Sequence, residues 1–481
     1  MNNSDLKLSQ AGFTGQRDGG HNYLGMTRST CPVCLKIVNA QIIMRDNKLY
    51  FRKFCPAHGH SEVKIQGDAQ WALEAMRIGK GGAFPKAIHG KVEKGCPDDC
   101  GICPDHQQHT CIPEIDITDF CNTSCPICFA DSKNQYHVSI DAFTKMISHL
   151  KTFEESPEMI FLNGGEVTLH PELFKLIDIA KSMIPTLQFP VVQTNGIRIG
   201  EDEDFVKKLK DHGAVIYLSF DGFSPEVYLK IRNKDLHSVK MKALANLEKY
   251  SIPYILVPVL MKGVNEGEID KLIQHMLKSR ACSCVSIQPV FYTGRGSDTK
   301  DVNLDDRITT SDALDIIETQ TKGFLKKSDF FAIPCHHAFC GAATYILLND
   351  KLESIPISRL VNVHDYLDLF KNRARVNADL FTVGLKPILE DIWSCSTYVN
   401  VPKETIKNLI ETINSLKGQD QIEVEKRVVK QVSVHSFMDR HTYDVSRVQK
   451  CCIHYIMPNG QTIPFCNYNL FYRNQVNVGM F

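Results

Sequence analysis

Cysteine placement constrains this chain of 481 residues more than any other feature, because its 18 cysteines come in groups. Cys31, Cys34 and Cys55 lie near the start, followed by Cys96, Cys100, Cys103 and Cys111, and then by Cys121, Cys125 and Cys128. A long interval without cysteine ends at Cys282 and Cys284, and the tail carries Cys335, Cys340, Cys395, Cys451, Cys452 and Cys466. The density is below that of a small disulfide scaffold, and a chain this long buries a core without staples. The opening MNNSDLKLSQ has no apolar stretch of a signal peptide, so the expected setting is the reducing cytoplasm. There, grouped thiols bind metal or carry redox chemistry rather than pair. Lys+Arg and Asp+Glu balance at 55 each with no basic block, which excludes a nucleic-acid binder working through bulk charge. The longest apolar stretches, Ala214–Phe220 and Ile255–Met261, fall far short of the ~20 residues that span a bilayer.

The pattern divides the chain into an N-terminal metal domain over 1–85, a cysteine segment over 86–111, a core over 112–300 and a C-terminal part over 301–481. The first twenty-odd residues read as a loose end. Between residues 31 and 60 two chelating turns flank short strands joined by an Asp46-Asn47 hairpin turn. Gly79 to Pro85, rich in glycine, marks a boundary. From residue 112 strands and helices alternate. "IPEIDIT" puts Ile115 and Ile117 on one strand face, and Ser139 caps a helix whose buried face carries Ile140, Phe143, Met146, Ile147 and Leu150. "MIFLN", "LQFPVVQTN", "AVIYLSFD", "YILVPVLM" and "CVSIQPV" read as the following strands, with helical segments between them. The expected fold is therefore α/β: a parallel sheet forming a partial (β/α)6 barrel, open because the count stops short of eight. Beyond residue 300 two segments look helical, and "VEKRVVKQVSVHSF" is open between helix and strand.

Cys121, Cys125 and Cys128 sit directly after the first core strand, where the catalytic loops of a parallel α/β layer emerge. Three thiolates on one tight loop suit a cubane iron–sulfur cluster with one iron left open; a zinc knuckle that borrows a distant fourth ligand is the alternative. The second strand ends in Gly164-Gly165-Glu166, the third in Asn195-Gly196 and the fourth in Ser219-Phe220-Asp221, all on the active face of such a sheet. Glycines there let a ligand approach the backbone, and Glu166 and Asp221 can accept hydrogen bonds from an amine or from ribose hydroxyls. Upstream, Cys96, Cys100, Cys103 and Cys111 can close a second cluster unaided, with zinc as the alternative, while His106 and His109 read as solvated loop residues. Cys31, Cys34, Cys55 and His58 have the spacing of a zinc ribbon or a rubredoxin-like iron site. In the tail, Cys335, Cys340, Cys466 and one of the Cys451–Cys452 pair, assigned as Cys452, make a further set. Cys282, Cys284 and Cys395 read as buried thiols, and Arg295 as either an anion binder or an ion-paired loop residue.

The cysteine loop, the Gly-Gly-Glu and the polar strand ends together resemble the radical S-adenosylmethionine enzymes over roughly residues 112–290. Ile127 departs from the pattern, where the family usually has an aromatic residue before the last cysteine. The resemblance implies that Cys121, Cys125 and Cys128 hold a 4Fe–4S cluster whose open iron takes the amino and carboxyl groups of S-adenosylmethionine. Gly164, Gly165 and Glu166 would meet the methionyl end, with Asn195, Ser219 and Asp221 near the ribose or sulfonium. Reductive cleavage would then yield a 5′-deoxyadenosyl radical that abstracts hydrogen from an unactivated carbon. The flanking segments, ending in "CCIHYIMPNGQTIPFC", are similar to the tetraether lipid synthase group, which includes pterin methyltransferase-like proteins. That implies one or two auxiliary 4Fe–4S clusters, one mononuclear zinc or iron, and an electron donor such as ferredoxin or flavodoxin. The expected reaction is carbon coupling of lipid chains, with at most peripheral membrane contact; the alternative is methylation of a pterin-like small molecule. No catalytic side chain is assigned.

Overall fold

The computed structural model describes residues 16–18, 20–154, 156–298, 304–349, 351–372, 403–415 and 428–475. Cys395 and the N-terminal residues 1–15 lie outside them. The chain opens with an antiparallel sheet of five strands in sequence order: β1 (Gln16–Asp18), β2 (His21–Thr30), β3 (Ile37–Arg45), β4 (Lys48–Cys55) and β5 (Gly59–Gln66). The β3–β4 turn is made by Asp46 and Asn47, both left-handed at φ 50° and 55°, which matches the right-handed twist of the flanking strands. Helix α1 (Ala69–Ile78) follows, capped by Asp68, and buries its alanine face.

The core then runs β6 (Ile112–Thr118), α2 (Ile140–Phe153), β7 (Met159–Gly164), α3 (Leu173–Met183), β8 (Phe189–Thr194), α4 (Ile197–Glu201), α5 (Glu203–Asp211) and β9 (Val215–Ser219). It continues through α6 (Pro225–Arg232), α7 (His237–Lys249), β10 (Tyr254–Val257), the short β11 (Val259–Leu260), α8 (Ile269–Lys278) and β12 (Cys282–Pro289). These are the six βα units expected, and every pairing from β6 through β7, β8, β9 and β10 to β12 is parallel. Helix α2 begins where the pattern places it: the Ser139 hydroxyl accepts from the Ala142 amide at 3.2 Å, a cap worth about 1 kcal/mol. Its buried face (Phe143, Met146, Ile147, Leu150) packs with Ile115 and Ile117 of β6 in the main apolar core between sheet and helices.

The described residues after 300 build no sheet of their own. They comprise α9 (Thr310–Gln320), β13 (Phe331–Ala332), β14 (Gly341–Leu348), β15 (Ser354–Pro356), α10 (Lys403–Ser415), β16 (Val429–His435), α11 (Val445–Gln449), β17 (Ile453–Ile456) and β18 (Thr462–Pro464). The segment left open between helix and strand is the strand β16, which joins β12 in parallel; β14 then adds antiparallel. On the far edge β17 joins β6, also in parallel, and β18 closes that side. The result is one 13-stranded sheet in the order β13-β14-β16-β12-β10-β9-β8-β7-β6-β17-β18, with β11 and β15 off that path. Both sides of the core are thus covered by chain from the C-terminal third. No helix among the described residues is long and apolar enough to cross a membrane.

Candidate active site

The loop after β6 carries Cys121, Cys125 and Cys128 and is held from several sides. The Cys121 amide donates to Asn134 Oδ1 at 2.8 Å, and the Cys128 amide to the Cys125 carbonyl at 3.2 Å. Arg295 donates from Nη1 to the Cys125 carbonyl at 3.0 Å and from its backbone to the Cys128 carbonyl at 2.9 Å, while its Nε meets Asp131 at 3.2 Å. Arg295 is therefore the ion-paired loop arginine, a brace for the cysteine loop. All three thiols are part-exposed and line one cavity with Gly164, Gly165 and Glu166. Among the described residues only Cys31, Cys34, Cys55 and His58 bring all their ligand atoms within 4.8 Å. The wider spread of the Cys121 loop suits a multi-iron cluster, not a single ion.

Gly164 and Gly165 owe their identity to the protein's own backbone. A Cβ at Gly164 would collide with the Thr118 carbonyl, and one at Gly165 with the Phe120 carbonyl. Those carbonyls accept from the amides of Gly165 at 2.8 Å and Glu166 at 2.7 Å, so strand β7 is stitched to the cysteine loop. Glu166 is buried. Its Oε1 accepts from the Thr168 hydroxyl at 2.6 Å and the Thr194 hydroxyl at 2.5 Å, and its Oε2 from the Asn195 amide at 2.7 Å. Oε2 keeps a lone pair for a further donor. Asn195 and Ser219 line the same cavity.

Asp221 does not reach that cavity, a correction to its place near the ribose. It is fully buried, accepts from Arg232 at 2.7 and 2.8 Å, and accepts from the Val259 amide at 3.0 Å. The side chain that faces the cavity in its stead is Arg232. Burial works against the guanidinium charge, but Asp221 and Cys125 outweigh it and hold its pKa above the ordinary value. Lys240 lines the cavity too. It donates to the carbonyls of Asn195 and Ser219, and burial lowers its pKa to about 8. Sequence reading missed both cations, which lie on helices α6 and α7 away from any strand end.

A second cavity, with about 1580 Å³ of empty space partly open to solvent against about 1050 Å³ for the first, lies on the inner face of the sheet. Phe129, Gln193 and Gln288 line both cavities and form their common wall. The larger one is mostly apolar, with Phe161, Tyr217, Phe437 and Phe465 among its aromatics. Glu114 is its carboxylate.

The remaining cysteines are grouped differently from their order in the sequence. Cys111 leaves the Cys96–Cys103 run and meets Cys335 and Cys452, and all three line the larger cavity. The pairing of β17 with β6 does this: the amides of Cys111 and Ile112 both donate to the Cys452 carbonyl, at 2.9 and 3.0 Å. The set expected from Cys335, Cys340, Cys452 and Cys466 is accordingly divided. Arg447 Nε donates to Cys340 Sγ at 3.3 Å, and the charges of Cys340 and Cys466 both raise the pKa of Arg447 against the effect of burial. Burial, followed by its neighbour Cys103, pushes the Cys96 thiol up to about 11; Cys100 Sγ accepts from Asn467 at 2.9 Å. His106 and His109 are not free loop residues, His106 being buried and His109 only part-exposed. His106 meets the Cys451 carbonyl at 2.9 Å and His454 at 3.0 Å, and His109 lies 3.4 Å from Cys111 Sγ and 3.2 Å from Glu154. Cys282 and Cys284 are buried in β12 as expected.

In the N-terminal sheet, Cys31 Sγ and Cys55 Sγ lie 3.5 and 3.6 Å from His58 Nδ1, and Cys34 Sγ lies 4.0 Å from Cys55 Sγ. A tetrahedral ion with Zn–S of about 2.3 Å and Zn–N of about 2.0 Å sets its ligands roughly 3.5–4 Å apart, so the four donors fit one ion. Replacing Cys34 by serine should cost about one metal ion per chain, read by elemental analysis of the purified protein. An unchanged metal count would remove the site.

Residues 115–276 match the family model described as "Radical SAM superfamily", and residues 23–67 the model "HMPTM N-terminal zinc ribbon domain". The chain is 33% identical over 488 residues to 7,8-dihydro-6-hydroxymethylpterin dimethyltransferase of Methanocaldococcus jannaschii, covering 94% of both. It is 29% identical to GTP 3′,8-cyclase of Nautilia profundicola over 33% of this chain and 50% of that one. Among solved structures, SuiB of Streptococcus suis bound to precursor peptide SuiA superposes at TM-score 0.37 with 12% identity, over 46% of this chain and 47% of that one.

Proposed function

The chain belongs to the radical SAM superfamily, and from that premise we propose that it methylates a reduced pterin-like heterocycle. The observation that carries this reading is the end-to-end similarity, 94% of each chain, to an enzyme named as a pterin dimethyltransferase. Lipid coupling, the expectation placed first on sequence, has no counterpart among these relatives. The aromatic walls of the larger cavity support a planar substrate, since rings stack favourably on such side chains.

In this reading Cys121, Cys125 and Cys128 hold the cluster, which when bound supplies the electron for reductive cleavage of S-adenosylmethionine. Glu166 receives the amino group of S-adenosylmethionine at the free lone pair of Oε2, and Arg232, paired with Asp221, also offers its charge to the Cys125 thiolate. Phe129, Gln193 and Gln288 separate the two ligands, so the substrate sits within reach of the first cavity while apolar walls exclude water. Cys96, Cys100 and Cys103 form one auxiliary cluster site, and Cys111, Cys335 and Cys452 another. Cys31, Cys34, Cys55 and His58 hold a mononuclear ion, and a low-potential one-electron donor completes the system.

The test is incubation of anaerobically prepared protein with 7,8-dihydro-6-hydroxymethylpterin, a strong reductant, S-adenosylmethionine as the radical source and a one-carbon donor, either further S-adenosylmethionine or a methylene-carrying reduced pterin. Mass spectrometry should show 5′-deoxyadenosine together with pterin heavier by one or more CH2 units. Deoxyadenosine with the pterin left unchanged would reject the substrate and keep the radical chemistry.

A further inference from the structure

Glu114 is the unexplained group of the larger cavity. It lies on β6 between the apolar residues Ile112 and Ile115, 7% exposed, and lines a space walled mainly by apolar and aromatic side chains. A buried carboxyl without a counter-ion is destabilising and persists only with a compensating role. Arg473 favours its charge only from a distance, being bonded to Asp116 at 2.7 Å and to the Tyr455 hydroxyl at 3.1 Å. Glu114 accepts from Asn163 Nδ2 at 2.7 Å and from the Tyr455 hydroxyl, two donors for a group that takes about four.

We propose that the larger cavity is the substrate site and that Glu114 anchors there the edge of a planar heterocycle presenting a ring N–H beside an exocyclic amino group. This rests on the function proposed above and specifies how its substrate is read. Two parallel donors on one planar edge match the two oxygens of a carboxylate, the geometry that makes such pairs strong. Phe161, next to Glu114 across β6 and β7, supplies an aromatic surface for the ring, and Tyr217 another. Gln193 and Gln288, in the wall shared with the first cavity, offer amides to the remaining ring heteroatoms. A heterocycle held at Glu114 thus lies in the cavity that shares this wall with the one lined by the three thiols of the cysteine loop. Burial, and after it the charge of Asp116, raises the Glu114 pKa to about 8, so without a ligand the carboxyl is largely protonated at pH 7, and the arriving pair of donors binds its ionised form with release of that proton.

The experiment is anaerobic equilibrium binding of 6-hydroxymethylpterin and of its analogue lacking the 2-amino group, to wild-type protein and to Glu114→Gln. Wild-type protein should prefer the amino compound by roughly ten- to a hundredfold, the range for a hydrogen bond to a charged group in a buried site. The variant should lose that preference and bind the pterin weakly, with iron content and circular dichroism matching wild type. The comparison of two ligands on wild-type protein stands whether or not the variant folds. Equal affinity of the wild type for both compounds, or a variant that keeps the preference, would overturn the anchor and leave the pterin reading intact. Binding of neither compound by wild-type protein would overturn both.

Discussion

Replacing any one of Cys121, Cys125 and Cys128 by alanine should reduce 5′-deoxyadenosine formation to background and lower the iron content by about four atoms per chain. The loss is total because the reaction has no slower route that bypasses the cluster. Cys125 carries a second consequence, because its thiolate is also a partner of the part-buried Arg232, whose charge would then rest on Asp221 alone. The contrast is Cys282→Ala. That thiol is buried in β12 beside Cys284, away from the loop, and its removal should cost a stability of roughly 1 kcal/mol with full iron retained. Iron and sulfide analysis of the four variants, with deoxyadenosine assayed by chromatography, separates the cases. A loop variant that kept its iron and still produced deoxyadenosine would refute the cluster assignment.

Asp439→Asn should be the most destabilising of the conservative single changes at an ion pair in this fold, by about 3–5 kcal/mol, the usual cost of leaving a buried charge unpaired. Asp439 is fully buried and ties together three stretches of chain. It accepts from Arg307 Nη2 at 2.7 Å, from the Tyr292 amide at 3.0 Å and from the His441 amide at 2.9 Å. The His441 carbonyl in turn accepts from Lys53 of β4 at 2.7 Å, which links the N-terminal sheet to the same knot. Burial alone would raise the Asp439 pKa, but Arg307 and then His441 outweigh it and hold it at about 2. Since the folded value lies below the ordinary 3.8, the stabilisation is complete above that pH and fades only as the pH falls toward 2. The full deficit is therefore present at neutral pH, where the midpoint of guanidinium unfolding, followed by circular dichroism, reports it. A midpoint unchanged from wild type would show that Arg307 finds another partner.

Local regularities account for what could be read without coordinates. The helical period of residues 140–153, the Ser139 cap, the Asp46-Asn47 turn and the run of β-branched residues in each core strand depend on neighbours a few positions apart. So does the cysteine loop, because three thiols on one short loop need no distant help to be recognised. One signal was present and passed over: with Ile115 and Ile117 on the helix-covered face of β6, alternation sends Glu114 and Asp116 to the inner face. Two acids on the inner face of the first core strand are costly to bury: Asp116 is paired with Arg473, and Glu114 marks the cavity.

Legible in the chain alone are the parallel α/β core, its six units, the three ribbon thiols and the thiol loop after the first strand, whereas His58 as the fourth donor, against a distant cysteine, emerges with the coordinates. Which distant side chains meet is set by strand pairing and helix packing. Pairing of β17 with β6 sets Cys452 beside Cys111, and the isolated bridge from Gly81 to Cys335 brings the third thiol near. Arg232 rather than Asp221 faces the first cavity because helix α6 folds back onto the end of β9, where the carboxylate is consumed by the guanidinium. Such contacts join residues far apart in the chain and leave no periodic trace. They follow from strand order and helix packing, which the whole core selects together.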